Sequence, residues 1–231
     1  MSSQTTTPRN AGRPRRARTP IPAKTPFWRR GTTYAYGAVA LFAVGVLFYA
    51  FQNGRSNVQN AGGGYSVGNP GVGASAPAIT LDGTTGKVDL AAYRGKTVLL
   101  FFQEGIGCQA CWDQLRDMEK DAAKFKALGV DQVVSVTTSP LDLVRQKAAD
   151  EHLVTPIASD PNLAVSTSYH TNQFGMMGDS RDGHSFVLIA PDGKIRWRAD
   201  YGGAPKYTMY VPDSKLLADL AQGTGQTAGK A

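Results

Sequence analysis

Two cysteines spaced as Cys108-Gln109-Ala110-Cys111 carry the strongest chemical signal in the chain. They follow an apolar run, Thr97-Val98-Leu99-Leu100-Phe101-Phe102. After them Leu115, Met118, Ala122 and Phe125 recur three or four residues apart, with charges between. The run reads as a strand buried on both faces, and the periodic stretch as a helix from Cys108 to Leu128. A cysteine opening a helix meets unpaired backbone N–H groups and the positive end of the macrodipole, both of which favour the thiolate. The spacing of three puts Cys111 one turn on, on the same face and within disulfide reach. Cys108 is therefore the expected nucleophile and Cys111 the expected resolving thiol, with Gln109 and Ala110 facing the substrate between them. As a purely structural bridge, so short a loop would add only about 2 kcal/mol. A zinc site would need two further ligands, and the chain offers only His152, His170 and His184 as histidines.

Around this pair, Glu104 would disfavour a thiolate if its carboxylate faced Cys108. His184 is expected either to sit neutral at a strand entrance or to modulate Cys108. The segment from Phe174 to Gly183, with Met176, Met177, Asp179 and Asp182, is expected to flank the site. Gly95-Lys96-Thr97 mimics the end of a phosphate loop, but Leu90 stands where its first glycine is needed, and the strand follows it. Trp112 and Trp197 read as packing residues, as does Tyr207-Thr208-Met209-Tyr210-Val211-Pro212 under a last helix.

The elements that must position the pair alternate. Residues 78–81 and 87–90 flank a glycine-containing turn and read as a hairpin. A second buried strand, 133–136, precedes a helix from Pro140 to Glu151 with Ser139 as its cap. A short strand at 156–158 and a short helix at 161–169 come next. Residues 185–190 and 194–198 form a hairpin about Pro191-Asp192-Gly193, and a helix at 213–220 closes the domain. The order implies an α/β sandwich with a mixed central sheet.

Length and charge bound the rest. The 231 residues hold 25 Lys or Arg against 18 Asp or Glu, a net of +7. Eight of those basic residues lie before Phe51, where there is no acidic one. Residues 52–231 therefore carry a net of −1, which removes nucleic acid as an expected partner. Residues 1–32 read as a disordered basic cytoplasmic tail. Tyr34 to Phe51 is free of charge, and as a helix spans roughly 27 Å, close to a bilayer's hydrocarbon core. A transmembrane anchor is expected over 33–51, with aromatic residues at its ends and the basic tail inside. That places the remainder outside the cell membrane as a single-pass protein. A flexible linker is expected over 52–76, one domain over 77–221, and a flexible tail over 222–231.

Several segments resemble one family. Ala76-Pro77-Ala78-Ile79-Thr80-Leu81, then Tyr93-Arg94-Gly95-Lys96-Thr97-Val98-Leu99-Leu100-Phe101-Phe102, then Cys-x-x-Cys, are similar to the opening of the thioredoxin-like superfamily. The likeness is greatest to its redoxin branch, the alkyl hydroperoxide reductase and thiol-specific antioxidant proteins. Phe186 to Trp197 resembles that family's closing hairpin. The resemblance implies a thioredoxin-like fold in which Cys108 attacks a disulfide and Cys111 resolves the mixed intermediate. It further implies client protein thiols or disulfides and a membrane or extracytoplasmic electron donor as partners, with no cofactor beyond the redox-active disulfide. Peroxiredoxins place Pro and Thr seven and three residues before the reactive cysteine, where this chain has Phe101 and Gly105. Thiol–disulfide exchange is accordingly expected first and thiol peroxidase activity second. A third alternative is a copper carrier resembling those that assemble cytochrome oxidase, with Cys108, Cys111 and His184 as ligands.

Overall fold

A computed structural model describes Tyr36 and residues 39–47, 59–61 and 64–226. The expected basic tail, the ends of the expected anchor, the last five residues and much of the expected linker lie outside those residues. The chain divides into two units, Met1–Phe51 and Gln52–Ala231. In the first, Tyr36 and residues 39–47 are helical (α1), with Val39, Leu41, Phe42, Val44 and Leu47 exposed. Among the described residues no helix is long and apolar enough to cross a membrane.

The second unit is built on a sheet whose order is β1-β2-β9-β8-β5-β6-β7-β3-β4. Its strands are β1 (Gln59–Ala61), β2 (Tyr65–Val67), β3 (Thr80–Gly83), β4 (Gly86–Asp89), β5 (Val98–Gln103), β6 (Gln132–Thr137), β7 (Ile157–Ser159), β8 (Ser185–Ile189) and β9 (Ile195–Asp200). The β5–β6–β7 core is parallel and the flanking pairs are antiparallel, so the sheet is mixed as expected. Every residue of β5 is buried, because the strand is covered on both faces. Successive side chains alternate between them. Leu99 and Phe101 join a core with Trp112, Leu115, Phe125, Leu216 and Leu220. Val98, Leu100 and Phe102 join a second core with Ile79, Val136, Tyr169 and Val187 on the other face.

The helices are α2 (Gln109–Lys120), α3 (Ala122–Ala127), α4 (Leu141–Asp150), α5 (Ala164–Ser168) and α6 (Asp213–Thr224). The single helix expected from Cys108 to Leu128 is thus two. At Asp121 the backbone leaves helical geometry (φ −94°, ψ +15°) and its carboxylate takes the Lys124 ammonium, in keeping with aspartate's preference for helix ends over interiors. Ser139 is not the cap of α4 either. Pro140 occupies that position and makes no side-chain cap, and the Ser139 hydroxyl turns to the Cys108 loop instead.

The segment expected as a linker contributes two strands. β1 and β2 form a hairpin, and β2 pairs with β9 through Ser66 and Asp200. Tyr65 drives this docking: its ring packs at 5.9 Å from Trp197 and 5.3 Å from Tyr201, and its hydroxyl accepts from the Trp197 indole. Asp200 then accepts the Gly68 N–H at 2.7 Å while pairing with the buried Arg198 guanidinium. These partners lie about 130 residues downstream, which is why the local Gly and Asn content pointed to a linker.

Candidate active site

The end of β5 delivers Gln103, Glu104 and Gly105 to a turn that opens α2. Gly105 adopts φ +91°, a region open to glycine and closed to most other residues. Its carbonyl accepts from both the Cys108 N–H at 2.9 Å and the Trp112 indole N–H at 3.0 Å. Trp112 is fully buried, so this second bond ties the turn to the core. On the far side the Ser139 hydroxyl accepts the Ile106 N–H at 2.9 Å. A side chain at Gly105 would overlap the hydroxyl oxygens of Ser139 and Thr137, which already fill that space.

Cys108 is the N-cap of α2 and is joined by a disulfide to Cys111. The Cys111 N–H points at the Cys108 sulfur from 3.2 Å. The same N–H also donates to the Cys108 carbonyl at 3.0 Å, so the sulfur shares a first-turn donor at the helix start. Cys108 retains 9% exposure and Cys111 none, so an incoming reactant meets Cys108. Beside Cys108 a cleft of about 440 Å³ is lined by Ile106, Gly107, Ser139, Pro140, Leu143 and Arg181, among others.

Gln109 faces solvent and joins a polar lattice between α2 and α4. Its amide donates to Asp113 and Glu151 and accepts from Lys147. Lys147, then Gln109, hold the Glu151 carboxyl down at about 2. Ala110 instead packs against the core. Glu104 is buried, and its carboxylate accepts the Met176 N–H at 2.5 Å, which ties the segment from Phe174 to Gly183 to the active-site turn. Met176 and Met177 remain more than half exposed at this rim.

Asp182 ends that segment fully buried. It accepts from the Thr171 hydroxyl at 2.6 Å and lies 2.9 Å from the Ser166 hydroxyl, which is also 2.7 Å from Asp160. One hydroxyl carries one hydrogen, so protonated Asp182 completes the chain by donating to Ser166 while Ser166 donates to Asp160. Burial pushes the Asp182 carboxyl up to about 8, consistent with that proton.

His184 stands against Cys111 rather than against Cys108, the expected partner. Its Nδ1 is 3.9 Å from the Cys111 sulfur, and its ring lies edge-on to Phe101 and Phe186. The side chain is fully buried, its Nε2 has no hydrogen-bond partner among the described residues, and burial lowers its pKa to about 3. The other two histidines lie elsewhere. His170 Nδ1 donates to the Asn69 carbonyl, and His152 follows α4 as expected. The copper alternative is not supported: the two sulfurs are bonded to each other, and no group of three His, Cys, Asp or Glu side chains gathers as a metal site among the described residues.

The sequence did not place Thr137, Ser139, Arg181 or the Trp112 indole at this site. Ser139 carried a signal, its place before Pro140, that pointed to a cap and not to the turn.

Known proteins resemble this chain in sequence and fold. The "Putative peroxiredoxin Rv2521" of Mycobacterium tuberculosis is 31% identical over 127 residues, 53% of this chain and 80% of that protein. "Peroxiredoxin 2" of Thermoplasma acidophilum is 27% identical over 138 residues, 56% of this chain and 66% of its own. Among solved structures, "Peroxidoxin BcpB" from Mycobacterium tuberculosis superposes with a TM-score of 0.53 at 19% identity, over 65% of this chain and 96% of that one. Mycobacterium tuberculosis AhpC does so at 0.53 and 16%, over 67% and 93%. These likenesses give a thioredoxin-like α/β peroxiredoxin fold. The AhpC/TSA family model matches residues 72–198, from the approach to β3 into β9 and across both cysteines, and the chain belongs to the AhpC/TSA family.

Proposed function

We propose that this redoxin is a two-cysteine thiol peroxidase. The observation that carries the reading is the Cys108 sulfur at the N-cap of α2, the more accessible of the pair, with the Cys111 N–H aimed at it and Cys111 already its disulfide partner. The peroxiredoxin names of the relatives support it. The expectation had put disulfide exchange first because Phe101 and Gly105 replace the usual pocket residues. The Thr137 and Ser139 hydroxyls, occupying the space beside Gly105, supply polar groups at that point from β6 and the residues after it.

The chemistry balances without a cofactor. The Cys108 thiolate attacks one peroxide oxygen, the O–O bond breaks, and the departing alkoxide takes a proton to leave as alcohol. Cys108 is now a sulfenic acid. Cys111 attacks its sulfur, water departs, and the Cys108–Cys111 disulfide forms. An external dithiol donor returns the pair to two thiols.

The test is consumption of hydrogen peroxide by residues 52–231 coupled to a small thiol reductant. Cys108→Ser should abolish turnover. Cys111→Ser should allow one oxidation and leave a sulfenic acid that a dimedone reagent captures. Oxidation of Cys108 no faster than free cysteine would sink the reading.

A second reading, exchange with client protein disulfides, is favoured by the exposed apolar rim of Ile106, Leu143, Met176 and Met177 around the site. It requires that Cys111→Ser trap mixed disulfides with membrane-fraction proteins. Under either reading we place the domain outside the cell membrane, tethered through residues 33–51. Support comes from the uncharged stretch 34–51 behind a basic segment and from the exposed apolar side chains of α1. Recovery of the full chain in the soluble fraction would count against the tether.

A further inference from the structure

We propose that His184 is the proton acceptor for Cys111, taking the thiol's proton as Cys111 attacks oxidised Cys108 and returning one when the disulfide is reduced. This deepens the two-cysteine reading and rests on Cys111 being the resolving thiol. Resolution needs a thiolate, and Cys111 is the worst placed of the pair to form one. It has no exposure, so water cannot take its proton, and burial in apolar surroundings raises a thiol's pKa. The N–H groups of the helix start serve Cys108, which lies three residues nearer the N-terminus. What faces the Cys111 sulfur is the imidazole Nδ1, at 3.9 Å.

The surroundings leave the ring free for this task. The other titratable groups near it are committed elsewhere. Glu104, on the turn after β5, accepts from the Met176 amide. Asp182, on the preceding segment, is held by Thr171 and Ser166. Tyr201, after β9, donates its hydroxyl to Asp219. Cys108 is bound to Cys111 itself. Phe101 from β5 and Phe186 from β8 clamp the ring at 4.9 and 5.4 Å, fixing Nδ1 toward the sulfur. Purely structural histidines commonly satisfy both ring nitrogens, yet here Nε2 has no partner among the described residues. The site keeps a buried imidazole at a cost in stability, and the titratable group that its Nδ1 faces is the resolving sulfur.

The proton bookkeeping is closed. In the reduced protein the Cys111 S–H faces the neutral ring. On attack the proton passes to Nδ1, the sulfur electron pair forms the S–S bond, and the group on Cys108 leaves with its own electron pair. Once the thiolate is consumed, nothing holds an imidazolium in this apolar pocket, and its proton ends on the group departing from Cys108, which leaves as water or a free thiol. In reduction an external thiol gives up its proton as it attacks Cys108, and the departing Cys111 thiolate recovers one through the ring.

The test replaces peroxide with the chromogenic disulfide 5,5′-dithiobis(2-nitrobenzoate), so that it reads the Cys111 step whatever the oxidant of Cys108. Reduced protein releases one thionitrobenzoate as the reagent attaches to Cys108, and a second as Cys111 displaces it. In the native protein the second phase should vary little between about pH 6 and 8, the range around an ordinary histidine. His184→Phe should slow it about 100-fold at neutral pH, the lower end of general-base contributions, and make it rise with pH. His184→Asn, which can accept a hydrogen bond but cannot take the proton, should be slow in the same way. Rescue of rate and flat profile by His184→Asn would assign the ring a positioning role only and overturn the proposal, as would native behaviour in both variants. Should neither variant fold, nitrogen NMR of the native ring decides: its titration should move up on reduction of the disulfide, and an unchanged titration overturns the proposal. Loss of the peroxide reaction alone would sink the peroxidase reading and leave this result standing.

Discussion

Gly105→Thr restores the residue type that peroxiredoxins carry three positions before the reactive cysteine, and the structure argues that it will harm this protein. The backbone there has φ +91°, outside the conformations that a β-branched residue adopts without strain. Such strain costs about 1–3 kcal/mol. The new Cβ would also overlap the Ser139 and Thr137 hydroxyls and sit 3.1 Å from the Ser139 Cβ. Overpacking of this kind costs about 1–3 kcal/mol more. The total, about 2–6 kcal/mol, is a large share of the roughly 5–15 kcal/mol that holds a domain folded. For a domain of this size it corresponds to a melting temperature lower by about 5–20 °C. Gly105→Ala should show most of the same loss, since backbone and Cβ are already at fault. Relief by movement would shift the Gly105 carbonyl, which holds both the Cys108 amide and the Trp112 indole, so peroxide turnover should fall as well. Urea unfolding of both variants, followed by peroxide consumption, checks the argument. A Gly105→Thr protein within about 0.5 kcal/mol of the parent, the range of neutral surface changes, with equal or faster turnover would refute it. The hydroxyls of Thr137 and Ser139 would then be incidental.

Two further predictions concern the surroundings. Trp112→Phe removes the indole bond to Gly105 and part of a buried side chain; urea unfolding should register a loss of about 1–3 kcal/mol, with the turn loosened and resolution slowed. Asp182 should give the protein an alkaline weakness. Its folded pKa of about 8 stands above the roughly 3.9 of an unfolded aspartate. Between these values the folded state binds a proton that the unfolded state does not, so its contribution to stability falls as pH rises and is lost by the folded pKa. Asp182→Asn, which keeps a donor for Ser166 and an acceptor for Thr171, should flatten that limb in thermal unfolding between about pH 5 and 8. An unchanged slope would refute the assignment. His184 acts with the opposite sign: its folded pKa of about 3 lies below the unfolded value, so its contribution is lost as pH falls through that interval.

Much of this site was readable locally. The cysteine spacing and the apolar run before it placed Cys108 at a strand-to-helix turn, and the β8–β9 hairpin followed from Pro191-Asp192-Gly193. Glu104 and His184 were both singled out, but their partners were not. Glu104 could have faced Cys108 and instead holds the Met176 amide; His184 was expected to act on Cys108 and instead meets Cys111. Both outcomes depend on which face of a strand end the chain presents across a gap of about seventy residues, and no local pattern encodes that.

The sequence by itself determined the spacing that lets Cys108 and Cys111 pair, the strand and helix that meet at them, and the mixed α/β class, because periodicity and apolar runs act over a few residues. Tertiary structure alone decided that Tyr65 and Gly68 dock on β9 rather than dangle in a linker, and that hydroxyls from positions 137 and 139 fill the space left at Gly105. It likewise decided that a buried imidazole meets the Cys111 sulfur. Each of these arises where segments far apart in the chain share one core, and close packing, which leaves no room for a second arrangement, sets which atoms meet.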